Sequence, residues 1–197
     1  NNLYELPRPN LHGDHQTGNA ATAAMALLTV LLSLKKPVPI TAIEHGLTHA
    51  HWPGRLQPLI SGPLAEILPP VWELWIDGGH NDTGGQVMAT QAKHWREEDN
   101  KPLHIILGML NTESPLGFVA PLAPFAASLT AITIPDQPLS LSADELATAI
   151  QSAGKPVTTA DSVAQAVQHI TQLNPQGGRI LITGSLYLMG HILSAHS

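Results

Sequence analysis

The sequence contains no cysteine, so it has neither a disulfide framework nor thiolate chemistry, as expected of a cytoplasmic protein. Charge is also scarce. Only 12% of the residues are Asp, Glu, Lys or Arg, and the formal net charge is −6. With no run of Lys or Arg, a nucleic-acid-binding surface is excluded. The start, Asn1–Asn10, is polar and carries prolines, unlike a signal peptide. The longest apolar stretch, residues 20–34, falls short of the roughly 20 residues a membrane span needs and is broken by Thr22, Thr29 and Ser33. It is expected to be a core helix packed on several sides, rich in alanine and therefore in helix propensity. No period suggests internal repeats. A Gly-x-x-x-x-Gly-Lys-Ser/Thr phosphate loop is missing too, since the only Gly-Lys, Gly154-Lys155, runs into Pro156. Without backbone N–H groups and a lysine aimed at phosphates, the chain by itself should not bind and cleave ATP competently. Eleven histidines are present, and His12 with His15, or His45 with His49 and His51, have spacings that could converge on zinc. There is no His-Glu-x-x-His, and no dedicated metal site is expected.

What the chain does have is apolar patterning. The 43% apolar content favours a compact globule. After a strand end at Leu3–Leu6 and a loop, a helix begins near His15 and stops at Lys35-Lys36-Pro37. A shorter helix runs from Pro39 to about Thr48, with Thr41 as its cap. Beyond it, strands expected at 71–76, 103–107, 129–134, 157 and 179–183 alternate with helices at 85–95, 116–127, 142–152, 160–173 and 185–193. Ser142 and Glu145 form a capping box, and Thr159 or Asp161 caps the helix that follows. Alternation at this spacing implies an α/β fold with a Rossmann-like, largely parallel sheet flanked by helices.

Residues 76–81, Ile-Asp-Gly-Gly-His-Asn, place an acid, an imidazole and an amide on a glycine turn between a buried strand and a helix. An open α/β sheet binds ligands in the crevice beyond the carboxyl ends of its strands. Asp77 there could accept hydrogen bonds from two neighbouring ribose hydroxyls. The same dipeptides also make ordinary turns, so the segment alone supports either reading.

Three further segments bear on the choice: His-Gln-Thr-Gly-Asn-Ala at 15–20, Trp-Pro-Gly-Arg-Leu-Gln at 52–57 and Gly-Ser-Leu-Tyr-Leu-Met-Gly at 184–190. In this order, with the Asp-Gly-Gly-His-Asn turn between the second and third, the chain resembles the C-terminal part of the folylpolyglutamate synthase/dihydrofolate synthase family. That family belongs to the Mur ligase superfamily of ATP-dependent amide ligases. The resemblance runs from about Leu11 to Gly190. It implies that residues 1–48 are helices from the end of a central ATPase domain and that 49–197 form a Mur ligase C-terminal domain, joined by a linker near His49–Gly54. The phosphate loop, the magnesium ligands and most of the folate pocket would lie upstream of Asn1.

The resemblance also assigns roles. Asn19 would contact adenine, although a carboxamide near a helix start is otherwise an ordinary cap. Arg55 would reach the nucleotide phosphates, a task suited to a planar, permanently charged guanidinium. Asp77 would hold the ribose. His80 would act near the reacting phosphate and the incoming amino acid, with Asn81 beside it as a substrate contact. Ser185 would donate to glutamate or cap its helix. The implied reaction uses ATP and magnesium to activate a dihydropteroate or folate carboxylate as an acyl phosphate, which L-glutamate then attacks. The expected enzyme is a cytoplasmic monomer that touches neither membrane nor nucleic acid. Two departures stand out: Asn111-Thr112-Glu113-Ser114 replaces an Asp-Lys-Asp-like segment, and Gly79 replaces the usual alanine. A fragment of a peptidoglycan Mur ligase and a non-catalytic nucleotide-binding module are the alternatives.

Overall fold

The computed structural model describes residues 4–195, which fall into two compact units divided between Pro53 and Gly54. The first unit is helical, with α1 (His15–Ser33) and α2 (Ile40–Thr48). Ala24, Leu28 and Ile43 pack together there, with Leu6, Val38, Ile40 and Leu47 against them. No strand forms at Tyr4–Leu6, and Leu3 lies outside the described residues. Thr41 does not cap α2. Pro39 occupies that position, and its ring has no polar group with which to cap. Nor is α1 packed on several sides within its unit. Only Gln16, Ala24 and Leu28 are buried, while Met25, Leu27, Val30, Leu32 and Leu34 face outward. Among the described residues no helix is long and apolar enough to cross a membrane.

The second unit is an α/β sandwich. In chain order it comprises β1 (Gln57–Pro58), α3 (Pro63–Glu66), β2 (Trp72–Ile76), α4 (Asp82–Glu98), β3 (Leu103–Leu107), α5 (Pro115–Val119), β4 (Ala126–Ile132), α6 (Ala143–Ile150), β5 (Val157–Ala160), α7 (Val163–Leu173), β6 (Gly178–Thr183) and α8 (Leu186–Ser194). The strands lie in the order β1-β2-β6-β3-β4-β5, all parallel except β1, which runs antiparallel to β2. Side chains alternate between the faces, as the period of two demands. Ile105, Leu107 and Leu181 meet α4, α5 and α6 on one side. Ile106, Ile180 and Ile182 meet α3, α7 and α8 on the other. Both faces are covered, which explains why the inner strands are nearly continuous runs of Ile and Leu.

Several elements depart from the sequence expectation. The helix expected over 116–127 is only α5 and a 3₁₀ turn at Ala123–Phe125, because Pro121 and Pro124 cannot continue an α-helix. β4 accordingly begins at Ala126. β5 extends to Ala160, so α7 starts later and is capped by Ser162 rather than Thr159 or Asp161. The capping box of Ser142 and Glu145 forms as expected. β1 and α3 have too little periodicity to be read from sequence.

Candidate active site

The chain leaves β2 through α4, skips one place to β3, moves outward to β4 and β5, and returns through α7 to insert β6 between β2 and β3. The helices after β2 and β6, two adjacent strands, therefore depart to opposite faces. Their diverging turns open a crevice at the carboxyl edge, the usual binding point of such sheets.

Three strand ends are tied together there. The Asp77 amide donates to the Ile182 carbonyl at 3.0 Å, and the Gly108 amide donates to the Thr183 carbonyl at 3.2 Å. The Gly79 carbonyl accepts twice, from the Gly184 amide at 3.0 Å and from the Thr183 hydroxyl at 3.3 Å. Gly184 has φ +109°, and a Cβ on it would sit 2.7 Å from the Gly108 carbonyl oxygen, so only glycine fits this crossing.

Asp77 is buried, 4% exposed, and braces the turn with both oxygens. Oδ1 accepts from the Gly79 amide at 2.7 Å and Oδ2 from the Leu56 amide at 2.8 Å. The second bond joins the turn to the Trp-Pro-Gly-Arg-Leu-Gln segment, as does the Gly78 amide donating to the Gly54 carbonyl at 2.8 Å. The Gln57 side chain accepts from the Gly54 amide at 2.9 Å, while its backbone pairs with Ile76 in β1. Arg55 is thus half-buried between two fixed neighbours, Gly54 at φ +74° and Leu56 at φ +40°. For a non-glycine residue that left-handed conformation costs about 1–2 kcal/mol, which the Asp77 bond and the burial of Leu56 offset.

His80 is half-buried, with Nδ1 2.9 Å from the Gly78 carbonyl oxygen. Asn81 is exposed and caps α4, its Oδ1 accepting from the Gly84 amide at 2.9 Å. Ser185 is buried and caps α8, its Oγ accepting from the Tyr187 amide at 3.1 Å. Asp77, His80, Asn81 and Ser185 thus sit on two neighbouring strand ends, with Arg55 strapped to the first. Asn19 belongs to the helical unit, where its amide donates to Gln16 Oε1 at 3.1 Å. The divergent turn at 111–114 is held through the Asn111 amide, which donates to the Leu139 carbonyl at 2.8 Å. Sequence reasoning missed Thr183 and the backbone amide of Leu56. The first was signalled by a hydroxyl closing an apolar strand before Gly-Ser; a backbone donor leaves no signal.

The amino edge of the sheet carries a different cluster. Arg179, buried on β6, bonds Glu73 through Nε at 2.8 Å and Asp99 at 3.1 Å, and its guanidinium lies 4.6 Å from the Trp95 ring centroid. Lys101 pairs with both acids. Burial pulls the Glu73 carboxyl upward, but the hydrogen bonds from Lys101 and Arg179 outweigh it and hold the carboxyl below its ordinary range. His104 on β3 is buried, with Nδ1 2.8 Å from Ser128 Oγ, and loss of hydration pushes its proton affinity down. Among the described residues no three His, Cys, Asp or Glu side chains converge as metal ligands.

The family described as Mur ligase, glutamate ligase domain, matches residues 66–186. A dihydrofolate synthase/folylpolyglutamate synthase of Bacillus subtilis (strain 168) is 26% identical over 189 residues, 96% of this chain and 41% of that protein. A probable dihydrofolate synthetase of Schizosaccharomyces pombe is 25% identical over 196 residues, 96% of this chain and 44% of that protein. Among solved structures, Mycobacterium tuberculosis folylpolyglutamate synthase complexed with ADP superposes with a TM-score of 0.77 at 26% identity, covering 96% of this chain and 41% of that one. The chain therefore spans about two fifths of the length of these two relatives.

Proposed function

The chain belongs to the Mur ligase family, glutamate ligase domain, and from that membership we propose that it is the amino-acid-accepting part of an ATP-dependent ligase that adds L-glutamate to dihydropteroate or folate. The observation that carries this reading is the locked carboxyl edge. Asp77, His80, Asn81 and Ser185 are fixed on adjacent strand ends, and Arg55 is held beside them by the Leu56–Asp77 and Gly54–Gly78 bonds. Such a constellation suits a reaction catalysed by positioning and charge neutralisation more than by covalent chemistry.

In this reading Arg55 neutralises the nucleotide phosphates. The resemblance gives Asp77 the ribose and gives Asn19, in the helical unit, an adenine contact. His80 faces the reacting centre, with Asn81 and Ser185 toward the glutamate. The carboxylate is activated as an acyl phosphate, and the glutamate amine displaces phosphate to form the amide. The sequence has no phosphate loop, and in this reading ATP cleavage, with its magnesium, belongs to a separate ATP-binding domain. The exposed apolar residues of α1 (Met25, Leu27, Val30, Leu32) support such a partner, since a helix apolar on most sides is normally enclosed. Its closure would keep water from the acyl phosphate. The proposed enzyme works as a monomer in the cytoplasm.

Incorporation of labelled glutamate into dihydropteroate or folate tests the reading. The 197-residue chain alone should form no product. Joined to a phosphate-loop ATPase domain of this family, it should form product that depends on ATP, magnesium and glutamate. Ligation by the isolated chain would sink the division of labour, and selective use of peptidoglycan precursors would replace the folate acceptor.

A further inference from the structure

We infer that His80 is the proton acceptor that frees the attacking amine, presenting Nε2 for that purpose because Gly78 fixes its tautomer. The inference rests on the ligase reading above and adds a chemical role to one residue of the same site. A carbonyl oxygen can only accept a hydrogen bond. The 2.9 Å contact between Nδ1 and the Gly78 oxygen therefore puts the proton on Nδ1. In neutral imidazole the other nitrogen then carries a lone pair. Nε2 makes no hydrogen bond among the described residues and is not among the buried unpartnered atoms, so the lone pair is open to a ligand.

The backbone leading into the ring is equally fixed. The Gly79 carbonyl is held from one side by the Gly184 amide and the Thr183 hydroxyl, which sets the peptide plane between Gly79 and His80. Asn81 continues that rigidity by capping α4. The result is a half-exposed imidazole with a defined tautomer at the carboxyl edge of the sheet.

An amino acid arrives at neutral pH as an ammonium, which has no lone pair and cannot attack. Proton transfer from nitrogen to Nε2 gives the free amine. Its lone pair bonds the acyl carbon, the bond from that carbon to the phosphate oxygen breaks, and the phosphate leaves with the electron pair. The second nitrogen proton goes to the departing phosphate. His80 then returns its proton to solvent, so the step balances without any further reagent.

Asparagine is the discriminating substitution, because its amide nitrogen can replace Nδ1 as donor to Gly78 while nothing replaces Nε2. In the 15N-histidine-labelled chain, with the His80 signal assigned by its loss in His80→Asn, the neutral ring should show a protonated Nδ1 and a bare Nε2. The opposite tautomer would overturn the inference. In the ATPase-joined enzyme, His80→Asn should lower glutamate ligation by roughly 100-fold, the usual scale of a general base. Capture of the acyl phosphate by hydroxylamine, already unprotonated at neutral pH, should change by less than about threefold on the same reasoning. Undiminished ligation, or equal loss with both nucleophiles, would remove the base role and leave the ligase reading standing. Absence of hydroxamate from the unsubstituted enzyme would remove the ligase reading and the base role with it.

Discussion

Asp77→Asn removes one acceptor from a buried carboxylate that holds two backbone amides, Gly79 at 2.7 Å and Leu56 at 2.8 Å. A carboxamide can accept one of these bonds, but it must turn its NH2 toward the other amide, donor against donor. The loss is one charge-assisted hydrogen bond, about 1.5–3 kcal/mol, together with a stranded buried N–H, about 1–3 kcal/mol. Part of this is recovered by relaxation of Leu56 out of its left-handed backbone, worth at most 1–2 kcal/mol, roughly. A net loss of about 3 kcal/mol follows, and for a domain of this size that lowers the thermal midpoint by roughly 6–12 °C. Thermal and urea unfolding of the unsubstituted and Asp77→Asn chains measure it directly. The same release should free Arg55, so the ATPase-joined enzyme should also need more ATP. An unchanged midpoint would refute the bracing argument. If only the ATP requirement rose, Asp77 would be a ribose ligand and nothing more.

Other perturbations probe both edges of the sheet. Arg55→Lys keeps the charge but loses the planar fork and should reduce kcat/KM for ATP. Arg55→Ala should reduce it by roughly 10- to 100-fold, the equivalent of one charge-assisted bond, with little change in the unfolding midpoint. Steady-state kinetics beside thermal scans would separate a phosphate contact from a folding defect. Arg179→Met should cost about 2–3 kcal/mol in urea unfolding, because Glu73 and Asp99 lose their buried partner while Lys101 and water still screen them. It should also raise the Glu73 carboxyl toward its ordinary range, observable by NMR titration. Stability should fall with acid in two windows. His104 is neutral in the fold and binds a proton more readily when unfolded, so its contribution is complete above about 6.5 and lost as pH drops below that value. Glu73 and Asp99 have lowered affinities, so their contribution persists to about pH 4 and is lost below it. In His104→Asn the upper window should disappear from urea midpoints measured between pH 5 and 8, and its survival would reject the assignment.

Much of this protein is written in local sequence. The strands at 72–76, 103–107 and 178–183 are apolar runs ended by glycine or Asp-Gly, and each sits where the run predicts it. Ser142 with Glu145 announces α6 because a capping box is satisfied within four consecutive residues. The turn at 76–81 is legible for the same reason: its glycines, its cap and its strand are neighbours in the chain. Where the pattern misled, a local rule was outvoted. The apolar stretch at 116–127 reads as a helix, yet its prolines and the pull of pairing beside β3 divide it between a short helix and the start of β4. Residues 160–162 read as helix, yet Ala160 gains more by pairing with Ile132 in the sheet.

The tertiary structure alone decided what holds the candidate site together. Nothing in residues 52–57 says that the Leu56 amide will bond a carboxylate 21 positions away, or that Gly54 will receive the Gly78 amide. Backbone donors and acceptors are the same in every residue, so their partners are set by register and by strand order, not by composition. The insertion of β6 between β2 and β3 is what carries Thr183 and Gly184 to the Gly79 carbonyl. Residue identities determined which chemistry is present: an acid, an imidazole, a guanidinium and a phosphate loop that is missing. Their distances follow only from folding, because strand ends far apart in the chain become neighbours when the sheet closes.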